Sequence, residues 1–133
     1  MAQTLHSLAL LVREYEEAIR WYTEVLGFVV LEDTVLTADK RWVRVAPAGA
    51  SGAGLLLAKA TTPAQIRRIG DQTGGRVFLF LHTTDFWTDY HVLRARGVDF
   101  RESEPRAEVY GHVIVFRDLY GNLWDLIERS KTF

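Results

Sequence analysis

Apolar and polar positions change period several times along the chain, and each change marks an element. Leu5 to Val12 is apolar on both faces apart from His6 and Ser7, the pattern of a central strand covered by a helix on one side. From Glu14 onward, Tyr15, Ala18, Ile19, Tyr22, Val25 and Leu26 recur at three- and four-residue steps, and Gly27 stands where a helix ends in a left-handed residue. That predicts an amphipathic helix of about thirteen residues. Strands follow at Phe28 to Glu32, Trp42 to Ala46 and Gly54 to Lys59, with Pro47, Gly49, Ser51 and Gly52 in the loop between the last two.

The second half repeats this order. Val77 to His82 is an apolar strand, Asp85 to Arg96 a helix with Phe86, Tyr90 and Leu93 on one face, and Gly97 its terminator. Three more strands are predicted at Val98 to Phe100, Val109 to Phe116 and Leu123 to Ile127, the last two joined by a four-residue turn closed by Gly121. A shift of about seventy residues lays LALLVREYEEAIRWYTEVLGF over LFLHTTDFWTDYHVLRARGVDF with one residue deleted. The fold class expected is α+β: two βαβββ units, about 1–60 and 76–133, joined by a linker over 61–75 in which Pro63 to Ile69 forms a short helix. Each unit has one helix-covered and one open sheet face, and pairing the open faces gives a single domain with a curved mixed sheet around a central cleft and the helices outside. Clefts of that kind bind ligands.

Composition narrows the function classes. Sixteen Lys and Arg against seventeen Asp and Glu leave a formal charge of -1, no footprint for nucleic acid or an anionic membrane. With no cysteine there is no disulfide framework, thiolate zinc site or cysteine nucleophile, and a cytoplasmic location is expected. No stretch reaches the roughly twenty apolar residues of a membrane span. SGAGLLLAKA lacks the Lys-Ser/Thr ending of a phosphate loop, and no G-x-S-x-G elbow occurs.

LLVREYEEAIRWYTEVLGF resembles the opening signature of the vicinal oxygen chelate superfamily, which includes glyoxalase I, extradiol dioxygenases, fosfomycin-resistance transferases and bleomycin-resistance proteins. FRDLYGNLWDLIE resembles its closing signature, and together the two span nearly the whole chain. Fold is implied more strongly than chemistry, because members share architecture and differ in reaction. The resemblance also implies a homodimer and, in metal-dependent members, one divalent ion held by His on the first strand of each unit and Glu on the last. Carried onto this chain, those four positions read Ser7, Leu56, Phe78 and Asp125. An ion of this kind needs three or four good donors, so no metal is expected there. The exception is a rearranged shell of His6, His112 and Asp125, which requires a bulge to turn His6 inward.

Other polar residues carry candidate roles. His82 shares strand parity with Phe78 and faces the cleft, roughly 13 Å from it: a ligand-orienting group, or a polar residue at the cleft mouth. If Arg117 pairs with Asn122 across the turn, Ile114 lies opposite Asp125 and His112 is diagonal to the acid on the same face, an arrangement for general acid/base catalysis. A turn shifted by one residue instead points His112 outward. Tyr110 shares the parity of His112 and joins it as a ligand contact. Arg106, just before that strand, either is solvated or grips a carboxylate or phosphate with its planar fork. Trp42 and Trp87 are candidates for stacking on an aromatic ligand, whereas Trp124 has the parity of the helix interface.

Three functions remain open. The first is metal-free binding of a small molecule in the cleft. The second is an enzyme, either a metal-dependent lyase or dioxygenase or a metal-free catalyst using Asp125 and His112. The third is a regulatory subunit that has lost small-molecule chemistry.

Overall fold

In the computed structural model, which describes residues 1–130, the chain divides into two compact units, Met1–Ile69 and Gly70–Phe133. Each carries its own mixed sheet, so the hydrogen-bonded sheets are two where a single curved one was expected.

In the first unit the sheet order is β1 (Ser7–Val12), β4 (Gly54–Lys59), β3 (Arg41–Pro47), β2 (Phe28–Val35), with β1 and β4 parallel and the other pairs antiparallel. β1 is therefore an edge of its sheet, not a central strand. It buries Leu10 and Val12 on one face and leaves Leu8 and Ala9 exposed. The predicted helix begins as α1 (Tyr15–Arg20) but widens over Trp21–Val25 into a π-helical turn, in which the Leu26 N–H donates to the Trp21 carbonyl. Tyr22 and Phe28 pack ring to ring beneath it, 5.6 Å apart. β2 runs three residues past the expected end at Glu32, through a bulge between Val30 and Glu32. A short α2 (Pro63–Arg68) follows, with the Thr62 hydroxyl accepting from the Gln65 N–H at 3.2 Å.

The second unit orders β5 (Leu79–His82), β9 (Leu123–Arg129), β8 (Gly111–Arg117) and β6 (Asp99–Phe100), with β7 (Arg106–Glu108) also pairing β8. The expected strand Val109 to Phe116 is thus the turn and return arm of a hairpin with β7, with exposed Val109 in the turn. Gly111 begins the return strand at φ 139, where a Cβ would strike the Glu128 carbonyl. Helix α3 (Phe86–Ala95) covers one face, burying Phe86, Tyr90 and Leu93. Its first turn is held from the sheet: Glu128 Oε1 accepts the Phe86 N–H at 2.7 Å, while Asp85 at the cap position makes no such bond. Behind the helix Phe116 stacks on Trp124 at 5.8 Å and Phe100 lies 5.2 Å from Tyr90.

The connection between β8 and β9 spans Asp118 to Asn122, one residue longer than the turn read from sequence. Asp118 Oδ1 accepts the N–H groups of Tyr120 and Asn122, both at 2.9 Å, and Oδ2 accepts the Asn122 side-chain amide at 2.8 Å. Both residues are buried. Gly70, at φ +78, lies so close to this turn that a Cβ there would collide with the Tyr120 carbonyl.

Two stability predictions follow from these contacts. Gly97→Ala, which introduces a side chain at φ +81 into open space, should cost about 1 kcal/mol in urea unfolding. Gly70→Ala meets the same backbone strain plus the Tyr120 carbonyl and should cost at least about twice as much; equal costs would remove the turn contact from the account. Glu128→Ala should lose about 1 kcal/mol through the uncapped Phe86 N–H, and Glu128→Gln, which keeps an acceptor oxygen, should recover most of it.

Candidate functional site

The register of β8 and β9 decides which side chains share a face. Arg117 pairs with Leu123, Phe116 with Trp124 and Val115 with Asp125. Asp125 also pairs with Phe80 on β5, and Arg106 with Val113 on β8. Because partners across a ladder point to the same side, Asp125, Phe80, His82, Val113, Val115 and Arg106 share the open face. His112 pairs with Glu128 and belongs to the helix face, 5.7 Å from the Phe86 ring and 5.5 Å from Trp87. The acid/base dyad expected of His112 and Asp125 is therefore not formed. The residue opposite Asp125 is Val115, not Ile114, because the longer turn slips the pairing by one.

Asp125 lies among Arg106, Arg101 and Glu102. Burial pushes its carboxyl above the usual carboxylate range, and the positive charges of Arg106 and Arg101 only partly oppose this. Its Oδ1 is buried and accepts no hydrogen bond among the described residues, and Arg106 Nε is buried and donates none. That nitrogen approaches Glu102 Oε1 at 3.3 Å without hydrogen-bond geometry, while another Arg106 nitrogen holds Glu108 at 2.7 Å. Burial works against the Arg106 charge, but Glu102 and Glu108 outweigh it and raise the guanidinium pKa. Glu102 also accepts the Val115 N–H at 2.9 Å, a bond that, with Arg101 and Arg106, lowers its own pKa against the cost of burial. One side of one sheet thus holds an acceptor and a donor that are buried without a hydrogen bond.

Toward the far end of β9, an open groove of about 550 Å³ is lined by Phe80, His82, Ile127, Arg129 and Ser130. Phe80 is 65% exposed. It was not singled out in the sequence, although the alternation of Phe78, Phe80 and His82 carried the signal. Phe78 lies just before β5, its N–H donating to the Leu123 carbonyl at 2.8 Å. Tyr110 is in the β7–β8 turn, not on the strand with His112; it acts electrostatically on Arg106, and its carbonyl accepts the Ser130 N–H.

The first unit is built differently. Ser7, Leu56 and Arg44 share its open face, with Leu56 between Ala9 and Arg44. Arg44, its side chain only 11% exposed, donates through Nε to Ser7 Oγ at 2.9 Å and through another nitrogen to Glu32 Oε1 at 2.6 Å. A third nitrogen reaches the His6 carbonyl at 3.2 Å, and Gly54 leaves the room for it: a Cβ there would lie 3.2 Å from the guanidinium. His6, ahead of the strand and unconstrained by its alternation, joins the same cluster, with Nδ1 2.7 Å from Ser7 Oγ and Nε2 3.9 Å from Glu32. Leu56 and Trp42 line a neighbouring cavity of about 390 Å³.

This donor set does not fit a divalent ion. Leu56 and Phe78 offer carbon, the Ser7 hydroxyl is held by Arg44, and Asp125 alone remains. The alternative shell of His6, His112 and Asp125 fails because His112 and Asp125 lie on opposite faces of one sheet. Among the described residues no group of three or more His, Cys, Asp or Glu is placed to hold a metal. No described helix is long and apolar enough to cross a membrane.

Comparison with known proteins agrees with the architecture. An uncharacterized protein of Shewanella frigidimarina (strain NCIMB 400) is 50% identical over 129 residues, covering 96% of this chain and 95% of that one. The crystal structure of UcmS2 matches with a TM-score of 0.81 at 30% identity, over 95% of this chain and 98% of that one. TnmS3, an antibiotic binding protein from Streptomyces sp. CB03234, matches with a TM-score of 0.76 at 28% identity over 98% of each chain. A model of the Glyoxalase/Bleomycin resistance protein/Dioxygenase superfamily matches residues 4–126, taking in the opening signature and most of the closing one. The chain belongs to the glyoxalase/bleomycin resistance protein/dioxygenase superfamily.

Proposed function

We propose that this protein binds a small, aromatic organic molecule without a bound metal, on the open face of the second unit. The observation that carries the reading is the pair of unused polar atoms, Asp125 Oδ1 and Arg106 Nε, on a face that also displays Phe80. A buried acceptor left unmet costs about 1 to 3 kcal/mol, and a ligand that donates to it recovers that energy. Phe80 supplies an apolar surface for the ligand's rings, and His82 and Arg129 line the same groove. The likeness to an antibiotic binding protein supports the same reading. A catalytic role for Asp125 lacks its base, since His112 faces the helix. The proposal takes the two units as one functional domain in a cytoplasmic homodimer. Exposed Val29, Val30 and Leu31 on edge strand β2 support the dimer, and the absence of cysteine suits the cytoplasm.

Native mass spectrometry of the protein as purified, and after separate addition of zinc, manganese and iron(II), should show no stoichiometric metal; one ion retained per chain would overturn the metal-free reading. Titration with anthracene-9-carboxylate, followed by tryptophan fluorescence, should show saturable binding that Phe80→Ala weakens about tenfold or more. Since Phe80 is largely exposed, unchanged affinity in that variant would sink the assignment of this face.

The acid has a pH signature. Its folded pKa lies above the unfolded value of 3.8, so the native state binds the Asp125 proton more tightly, and ionisation of this group lowers stability as pH rises past that value. Asp125→Asn removes the penalty. Its stability relative to the parent protein should therefore increase as pH is raised from about 3.5 to 7 in urea unfolding, and a difference independent of pH would show that burial does not act on this carboxyl.

A further inference from the structure

We propose that a second pocket on this face, at the Leu123 end of β9, binds the carboxylate or phosphate group of the same ligand, which is then an organic acid; the inference rests on the small-molecule reading above. The pocket has a volume of about 320 Å³ and is lined by Arg76, Arg101 and Arg117, together with Asp71, Asn122 and the backbone of Gly70 and Gly75. Two of the arginines carry long surface ion pairs: Arg117 lies 3.4 Å from Asp99, whose side chain is 70% exposed, and Arg101 lies 3.3 Å from Glu102. Pairs of that kind contribute little and exchange readily for a better acceptor. Glu102 is further engaged by the Val115 N–H and Arg106, which leaves Arg101 with a shared partner. The Arg76 guanidinium makes no hydrogen bond or ion pair among the described residues. Asp71 is the acid in the lining, and it already has an interaction of its own.

Three planar guanidinium forks around one concavity match an oxyanion, which accepts from each without needing a base of its own. Gly75 adds no side chain to the wall: a Cβ there would meet nothing within 4 Å. Position ties the pocket to the candidate site. Arg117 and Leu123 are ladder partners on the Asp125 face, and the Arg101 charge acts directly on Asp125. From Leu123 to Ile127, which lines the Phe80 groove, is roughly 13 Å along the strand, the span of a ligand with rings at one end and an acid at the other.

Inorganic phosphate and acetate test the pocket without the ligand. Calorimetric titrations at ionic strength matched with chloride should show phosphate or acetate binding to the parent protein, weakened about tenfold or more by Arg76→Gln and by Arg117→Gln. Arg20→Gln, on α1 of the first unit, should bind as the parent does. Stronger binding of acetate assigns a carboxylate, and stronger binding of phosphate a phosphoryl group. No binding beyond chloride, or equal binding by Arg76→Gln, overturns the proposal; Arg76 is exposed, so its replacement leaves the fold intact. Phosphate binding without anthracene-9-carboxylate binding would instead sink the aromatic groove and leave the anion pocket standing.

Discussion

The Asp118 carboxylate fixes the second unit. By accepting from the backbone of Tyr120 and Asn122 and from the Asn122 amide, it folds Asp118 to Asn122 into one rigid connection. A strand alternates every residue, so the length of this connection decides which face every later side chain occupies. Five residues between β8 and β9 put Asp125 with Val115 and Phe80 on the open face, and Trp124 with Phe116 against the helix. Four would have exchanged those sets relative to β8. The turn is itself buttressed, since the Tyr120 carbonyl rests against Gly70, where only a residue lacking a Cβ fits.

The two units resolve the same architectural problem in opposite ways. Each leaves one sheet face uncovered by its own helix. In the first unit that face is electrically complete: Arg44 is held by Glu32, the Ser7 hydroxyl and the His6 carbonyl, with Gly54 making space for it. In the second, the ladder position corresponding to Leu56 is Asp125, and that corresponding to Arg44 is Val115. One repeat therefore has a neutralised cation, and the other an acid without a full complement of donors. The internal symmetry is one of backbone, not of chemistry.

Most of the fold was legible because it rests on local pattern. The helix periodicities, the left-handed glycines at Gly27 and Gly97, and the two signatures all concern residues near one another in sequence. What was not legible depends on counts of one. Asp118 reads as an ordinary turn residue, and nothing local states that it wraps two further backbone groups; the extra residue decided between the two orientations open to His112. Arg44 was missed because Glu32 reaches it only as its ladder partner in the β2–β3 pair, and Ser7 only through strand pairing across β4. The π turn at Trp21 still buries Tyr22, and its wider winding leaves no mark in the apolar spacing. Asp125 itself was found by position in the signature, but its raised pKa and unused oxygen follow from three-dimensional burial beside Arg106 and Glu102.

The cost of Asp125 is the strongest argument that this face is for something. Leu56 shows that the corresponding site in the same architecture accepts a hydrocarbon side chain, packed without any polar demand. The fold therefore does not require an acid here. Retaining a half-buried carboxyl whose buried Oδ1 is unmet, with a guanidinium nitrogen of Arg106 likewise without a hydrogen bond, lowers stability by an amount that Arg101 and Arg106 reduce but do not cancel. A donor and an acceptor that do not hydrogen-bond each other are what a preorganised site offers to a ligand carrying the complementary groups. On the first unit's open face Arg44 engages Glu32, the Ser7 hydroxyl and the His6 carbonyl, with no unmet buried side-chain atom among the described residues, and this difference supports the proposal of binding on the second unit.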